Sequence, residues 1–209
     1  MYAQISYRQE LFRKAIHISS LWMVIVIAIF PKPINILLFS LLLIGCILTE
    51  YGNYRRWSLF TMTYGTLFGR ILRGKEKETT TFRLSGAPYV IAAALLSVIL
   101  FPKIIAMTSF TVMLLGDTAA ALIGRRFGVH KINHGTKSLE GSIAFFITGI
   151  LTVFFFQFLF NTGLLFTICG IIGVFLACLA EVYENRIHID DNFSIPLIVG
   201  IIMCLPLLF

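Results

Sequence analysis

Between Gly116 and Gly141 the chain reads GDTAAALIGRRFGVHKINHGTKSLEG, and this stretch gathers the residues best able to do chemistry. Asp117 stands in an otherwise apolar run, well before Arg125; on a helix that separation sets it roughly 12 Å below the polar end at about 1.5 Å per residue. An ionisable group at such depth is costly and is read as functional by default. The structural alternative is a helix-to-helix hydrogen bond, with Asp117 neutral or paired to Arg125 or Lys137. Arg125, Arg126, Lys131, His134 and Lys137 populate one short loop, and Lys137-Ser138-Leu139-Glu140-Gly141 opens the next apolar run. A helix N-terminus offers unpaired N–H groups and partial positive charge, so a cap at Ser138 beside Lys137 suits a phosphate. Ser85-Gly86-Ala87-Pro88 and Asn192-Phe193-Ser194-Ile195-Pro196 open two further runs in the same way, although capping alone also explains their Ser and Pro residues.

Glu181, Glu184, Asp190, Asp191 and Asn192 bring hard oxygen atoms to the last polar link, the donor type Mg²⁺ takes alongside substrate phosphates. A solvated acidic loop is the plainer account. His17 and Glu50 are candidates at the rim. His130 and His134 stand four apart but are bracketed by Gly128 and Gly135, with no thiol near, which argues for loop or phosphate contacts over zinc. Cys46, Cys169, Cys178 and Cys204 all fall in apolar runs without metal-ligand spacing. No G-x-x-x-x-G-K-[ST], G-x-G-x-x-G or G-x-S-x-G pattern occurs, so the nucleotide and hydrolase sites of soluble enzymes are no guide.

The elements that must hold these residues follow from composition. With 58% hydrophobic and 13% charged residues and a mean hydropathy of +0.90, the chain is expected to be an integral membrane protein. Its 209 residues leave room for one all-α helical bundle, a single integral membrane domain over 1–209. Apolar runs span 16–30, 34–49, 87–101, 104–124, 142–160, 163–180 and 194–209, giving seven spans, several lengthened by semi-polar flanks toward the ~20 residues a bilayer requires. Pro31-Lys32-Pro33 makes the first two a hairpin. Residues 57–72 alternate apolar and polar faces at steps of three and four and are expected to lie in the interface as an amphipathic helix. Gly116, Ala120 and Gly124 recur every four residues, allowing close helix packing or leaving space for a headgroup. The N-terminus is amphipathic and shows no cleavage site.

Charge placement tests this topology. Seven spans put all of the 17 basic residues except Lys32 and Lys103 on one side, so the N-terminus is expected in the cytosol. Spanning by 57–72 would destroy that asymmetry. The acids, His17 included in their company, collect at the same boundary, and the far side is almost featureless.

The succession Arg13-Lys14-x-x-His17, Leu84-Ser85-Gly86-Ala87-Pro88-Tyr89, GDTAAALIGRRFGVHKI, GTKSLEGS and Glu181…Asp190-Asp191-Asn192…Pro196 resembles the polyprenol kinase family, which includes dolichol kinase, phytol kinase and the CTP-dependent diacylglycerol kinase of fungi. The resemblance runs in order through nearly the whole chain. It implies transfer of the terminal phosphoryl group of a nucleotide, usually CTP, to a lipid alcohol at the cytosolic face of a bacterial-type plasma membrane or an internal membrane such as the ER. Under it, Asp117, Lys137 and Glu140 are the catalytic candidates. Asp117, Asp190 and Asp191 would hold Mg²⁺ or orient the hydroxyl, and Glu140 would be a second ligand or general base. Arg125, Arg126, Lys131, His134, Lys137 and Ser138 would meet phosphates, with His17, Glu50 and Asn192 at the rim. Lipid, nucleotide and bilayer are the expected partners, and nucleic acid is not. Two other readings stand beside this one: CDP-lipid synthesis of the phosphatidate cytidylyltransferase kind, though no Lys-Asp pair precedes His134-Gly135 as that signature requires, and a small transporter, though the outer halves of the spans carry no polar route.

Overall fold

The computed structural model describes residues 7–55, 57, 84–132, 137–183 and 190–207. Each of the seven apolar runs forms a helix. The first is a rod broken at Ser20 into α1 (Tyr7–Ser19) and α2 (Leu21–Ile29); α3 (Lys32–Tyr54), α4 (Gly86–Leu100), α5 (Lys103–Phe127), α6 (Leu139–Phe160), α7 (Leu164–Val182) and α8 (Asp191–Cys204) follow. A two-stranded hairpin, β1 (Lys131–Ile132) and β2 (Lys137–Ser138), joins α5 to α6 with Lys131 opposite Ser138. Five rods, Tyr7–Ile29, Lys32–Tyr54, Lys103–Phe127, Leu139–Phe160 and Leu164–Val182, are long and apolar enough to cross a membrane, and α4 and α8 are shorter apolar helices. The protein is thus an all-α, polytopic membrane bundle. The expected interfacial helix at 57–72 lies outside the described residues apart from Trp57, whose ring meets Tyr51 edge-on at 6.2 Å. One boundary differs from expectation: the first helix starts at Tyr7, so Glu10, Arg13 and Lys14 are on it and not ahead of it.

The links follow local chemistry. Pro31 precedes α3 in extended conformation and stops α2, since proline cannot continue a helix without losing a hydrogen bond. Asn161 ends α6 in the left-handed region at φ 48°, which Asn tolerates, and its N–H donates to the Gln157 carbonyl.

Helix α5 is the centre, packed against α1, α2, α4, α6 and α8. Its apolar window is 78% buried, against 17% for the first rod and for α3, which face outward. A buried helix must satisfy its own polar groups, and α5 does: Thr108, Thr111 and Thr118 donate to the carbonyls of Ile104, Met107 and Leu114 at 2.7–2.8 Å. The small residues on one face of α5 are filled by α6 and leave no headgroup space. A Cβ on Gly116 would stand 2.9 Å from the Phe145 ring, and one on Gly141 would stand 2.8 Å from the Ala120 carbonyl and 3.2 Å from Gly124 Cα.

Because the Gly141 neighbours are backbone, no rotamer change relieves them. Gly141→Ala is therefore expected to destabilise the protein by about 1–3 kcal/mol, the usual cost of overpacking, read as a lower midpoint of thermal unfolding in detergent. Gly45→Ala is the control, since a Cβ there meets nothing within 4 Å; it should be neutral or slightly stabilising, as Ala favours helix over Gly.

Candidate functional site

Up-and-down connectivity brings the starts of α1, α4, α6 and α8 and the ends of α3, α5 and α7 to one end of the bundle. Nearly every acid among the described residues sits there, and most are matched to a base or a backbone N–H from another part of the chain.

Asp117 lies deepest, and its carboxylate meets the Lys14 ammonium and, at 3.3 Å, His17 Nε2. Lys14 and Asp117 are 3% and 7% exposed, so this pair is sealed from solvent. Lys14 and His17 are three residues apart on α1 and so share a helix face. One turn outward, Glu10 binds Arg13 at 3.0 Å and Arg125 at 3.5 Å. α1 is thereby tied to α5 at two levels. His17, expected at the membrane surface, is instead level with Asp117, because α1 docks on α5 and carries it inward.

On the other side of α5, Lys137 from β2 reaches Glu181 at the end of α7, and Glu181 is buried. α4 and α6 are capped at the expected serines, whereas α8 starts earlier than its Asn192-to-Pro196 segment suggests, with Asp190 as its cap and Pro196 inside the helix. Ser85 Oγ accepts from Ala87 N at 3.3 Å, Ser138 Oγ from Gly141 N at 3.2 Å, and Asp190 Oδ1 from Asn192 N at 3.0 Å. The α4 start carries a carboxylate already: buried Glu50 accepts from Ser85 N at 2.9 Å and from Ser85 Oγ. Glu50 therefore fixes the junction of α3 and α4, a better account than a rim contact.

Glu140 is similarly engaged. Its Oε1 accepts from His130 N at 3.1 Å and pairs with His130 Nδ1 at 2.7 Å, which staples the hairpin to the first turn of α6. Its Oε2 is buried and makes no hydrogen bond. Ser138 packs between Gly124 and Gly128, where added Cβ atoms would stand 2.9 and 2.6 Å from its hydroxyl, so the loop closes tightly over the end of α5. Arg126 and Lys131 are exposed, with Arg126 over the Phe127 ring at 5.3 Å. His134 and Glu184 lie outside the described residues.

The structure thus gathers Asp117, His17 and Arg125 around α1, and Lys137 and Ser138 at the start of α6. Asp190, Asp191 and Asn192 stand at the start of α8, where Asp190 Oδ1 also accepts from Asn192 Nδ2 at 2.6 Å. Among the described residues no three His, Cys, Asp or Glu side chains converge as a metal cage. Lys14 and Glu10 are the participants to which the sequence assigns no role, and Glu181, a candidate oxygen donor in sequence, is instead the partner of Lys137. The available signal for Lys14 is the helix face it shares with His17 at the start of the first apolar run.

Chemically, this end offers cations held in place by buried carboxylates below a hairpin of basic residues. Such an arrangement can grip a polyanion at the surface and keep one carboxylate beneath it.

No family model matches the chain, and no solved structure matches it. It is 30% identical over 200 residues to an uncharacterised protein of Methanocaldococcus jannaschii, covering 93% of each chain. It is also 29% identical over 167 residues to CTP-dependent diacylglycerol kinase 1 of Saccharomyces cerevisiae, and 34% identical over 135 residues to the probable chloroplastic phytol kinase 1 of Oryza sativa subsp. japonica. The chain belongs to the polyprenol kinase family. As a member it is shorter than the named kinases: the matches take in 70% and 59% of this chain but 56% and 41% of theirs, about half their length.

Proposed function

We propose that this protein transfers the terminal phosphoryl group of a nucleoside triphosphate, CTP by preference, to the hydroxyl of a membrane lipid alcohol such as a polyprenol, phytol or diacylglycerol, at the end that carries Asp117 and Lys137 and that faces the cytosol. The observation that carries this reading is the buried Asp117 beneath the basic loop, in a chain whose relatives include kinases of lipid alcohols. Phosphoryl transfer needs mainly positioning and charge neutralisation. Lys137, Arg125, Arg126, Lys131 and His134, with the Ser138 helix start, bind and orient the phosphates. The lipid enters sideways between helices with its hydroxyl toward Asp117. The hydroxyl oxygen bonds to the terminal phosphorus as the bridging P–O bond breaks, the nucleoside diphosphate leaves, and the hydroxyl proton is released.

Mg²⁺ takes few protein ligands when a substrate supplies phosphate oxygens. The donors here fit that mode: single carboxylates at Asp117, Asp190 and Asp191, the carbonyl of Asn192 with its buried and unbonded Oδ1, and no converging cage among the described residues. When bound, the ion would neutralise charge on the phosphates. Lys14 fixes the position of the Asp117 side chain, which a metal or a hydroxyl would then meet.

Purified protein given radiolabelled CTP or ATP and a panel of prenols, phytol and diacylglycerol should form a lipid monophosphate and a nucleoside diphosphate, identified by mass. Formation of a CDP-lipid with pyrophosphate release would replace this reading with cytidylyl transfer. Solute flux in proteoliposomes without nucleotide would replace it with transport.

A further inference from the structure

At the opposite end of the bundle a small recess of about 20 Å³, room for one water-sized group, is lined by Ile27, Lys32, Asn35, Val98, Phe101, Lys103 and Ala106. We propose that its mouth binds the headgroup of an anionic phospholipid that carries hydroxyl groups, as a glycerol headgroup does, with one hydroxyl entering the recess, in the leaflet away from the candidate active site.

Three observations converge on that chemistry. Lys32 and Lys103 are exposed at its mouth, and each gives one N–H to a carbonyl in the last turn of a neighbouring helix: Lys32 to Ile99 at 2.8 Å and Lys103 to Ala28 at 3.0 Å. An ammonium has three donors, so each lysine keeps two for a ligand while the carbonyl contact fixes its position. Asn35 at the floor is 1% exposed. Its Nδ2 donates to the Ile27 and Phe30 carbonyls at 3.4 and 3.1 Å, which fixes the orientation of the amide, since a flip would set oxygen against oxygen. Asn35 Oδ1 is buried with no hydrogen-bond partner and therefore requires a donor.

Two cationic donors at the mouth and one buried acceptor at the floor describe a ligand with an anionic group and an O–H within the same small fragment. A phosphodiester bearing glycerol has both. The recess admits one small group and no more, so a hydroxyl can reach Asn35 while the phosphate stays at the mouth with the two lysines and the tails lie along the bundle. Basic recesses between membrane helices are known receptors for anionic headgroups.

The test is lipid retention by the detergent-purified protein, measured by native mass spectrometry against phosphatidylglycerol, phosphatidylcholine and inorganic phosphate. Wild type should retain phosphatidylglycerol over phosphatidylcholine, and inorganic phosphate should not displace it. Lys32→Ala with Lys103→Ala should weaken retention roughly twenty-five-fold, taking about a fivefold effect for each lysine. Lys32→Arg with Lys103→Arg should restore it. Asn35→Leu, if it folds, should lower the preference for phosphatidylglycerol over phosphatidic acid, which lacks the glycerol hydroxyls. Equal retention of phosphatidylglycerol and phosphatidylcholine, unchanged retention in the double lysine variant, or displacement by inorganic phosphate would overturn the proposal.

Discussion

Asp117→Asn is expected to abolish lipid phosphorylation and to destabilise the protein at the same time. The substitution leaves the Lys14 ammonium, 3% exposed, without its counter-ion. Breaking a buried ion pair from one side costs about 3–5 kcal/mol, enough to confuse loss of function with loss of fold. A second variant separates the two. Replacing both partners, Lys14→Met with Asp117→Leu, removes both buried charges and should return the unfolding midpoint close to wild type, since apolar substitutes for a buried pair are often neutral or better. If Asp117 serves the reaction, turnover stays absent in that stable double variant. Recovery of lipid phosphate formation there would make the pair purely structural.

Lys137→Ala should lower kcat/KM for the nucleotide by about 10²–10³-fold, the typical loss when one donor to developing charge is removed. It also strands Glu181, which is 3% exposed. Lys137→Ala combined with Glu181→Gln relieves that stranded charge, so its unfolding midpoint should rise above that of the single variant while the kinetic defect persists. Lys137→Arg retains the charge and should keep part of the activity. Wild-type nucleotide kinetics in the double variant would remove Lys137 from the phosphate site.

Much of the architecture could be read from local pattern. The stop at Pro31-Lys32-Pro33, the caps at Ser85 and Ser138, and the close packing of Gly116, Ala120 and Gly124 each depend on a few neighbouring residues, and each appears in the structure. The pairings do not. Nearness in sequence offers Arg125 and Lys137 as partners for Asp117, whereas its cation comes from Lys14, 103 residues away. The spacing of Lys14 and His17 shows that they share a face of α1, but which helix that face meets is decided by the packing of the whole bundle. The same holds for Glu181 with Lys137, and for Glu50 with the start of α4.

The tie between α1 and α5 also bears on how the protein is made. Lys14 belongs to a helix made earlier than the one that carries its partner, and until α5 arrives that lysine can reach the membrane surface on its long side chain. α5 has the lowest hydropathy of the five long rods, 1.5, and brings Asp117 with it. Its insertion therefore gains from a neighbour already waiting with a positive charge. α1 is thus made before α5 but takes its final place only once α5 has been added beside it.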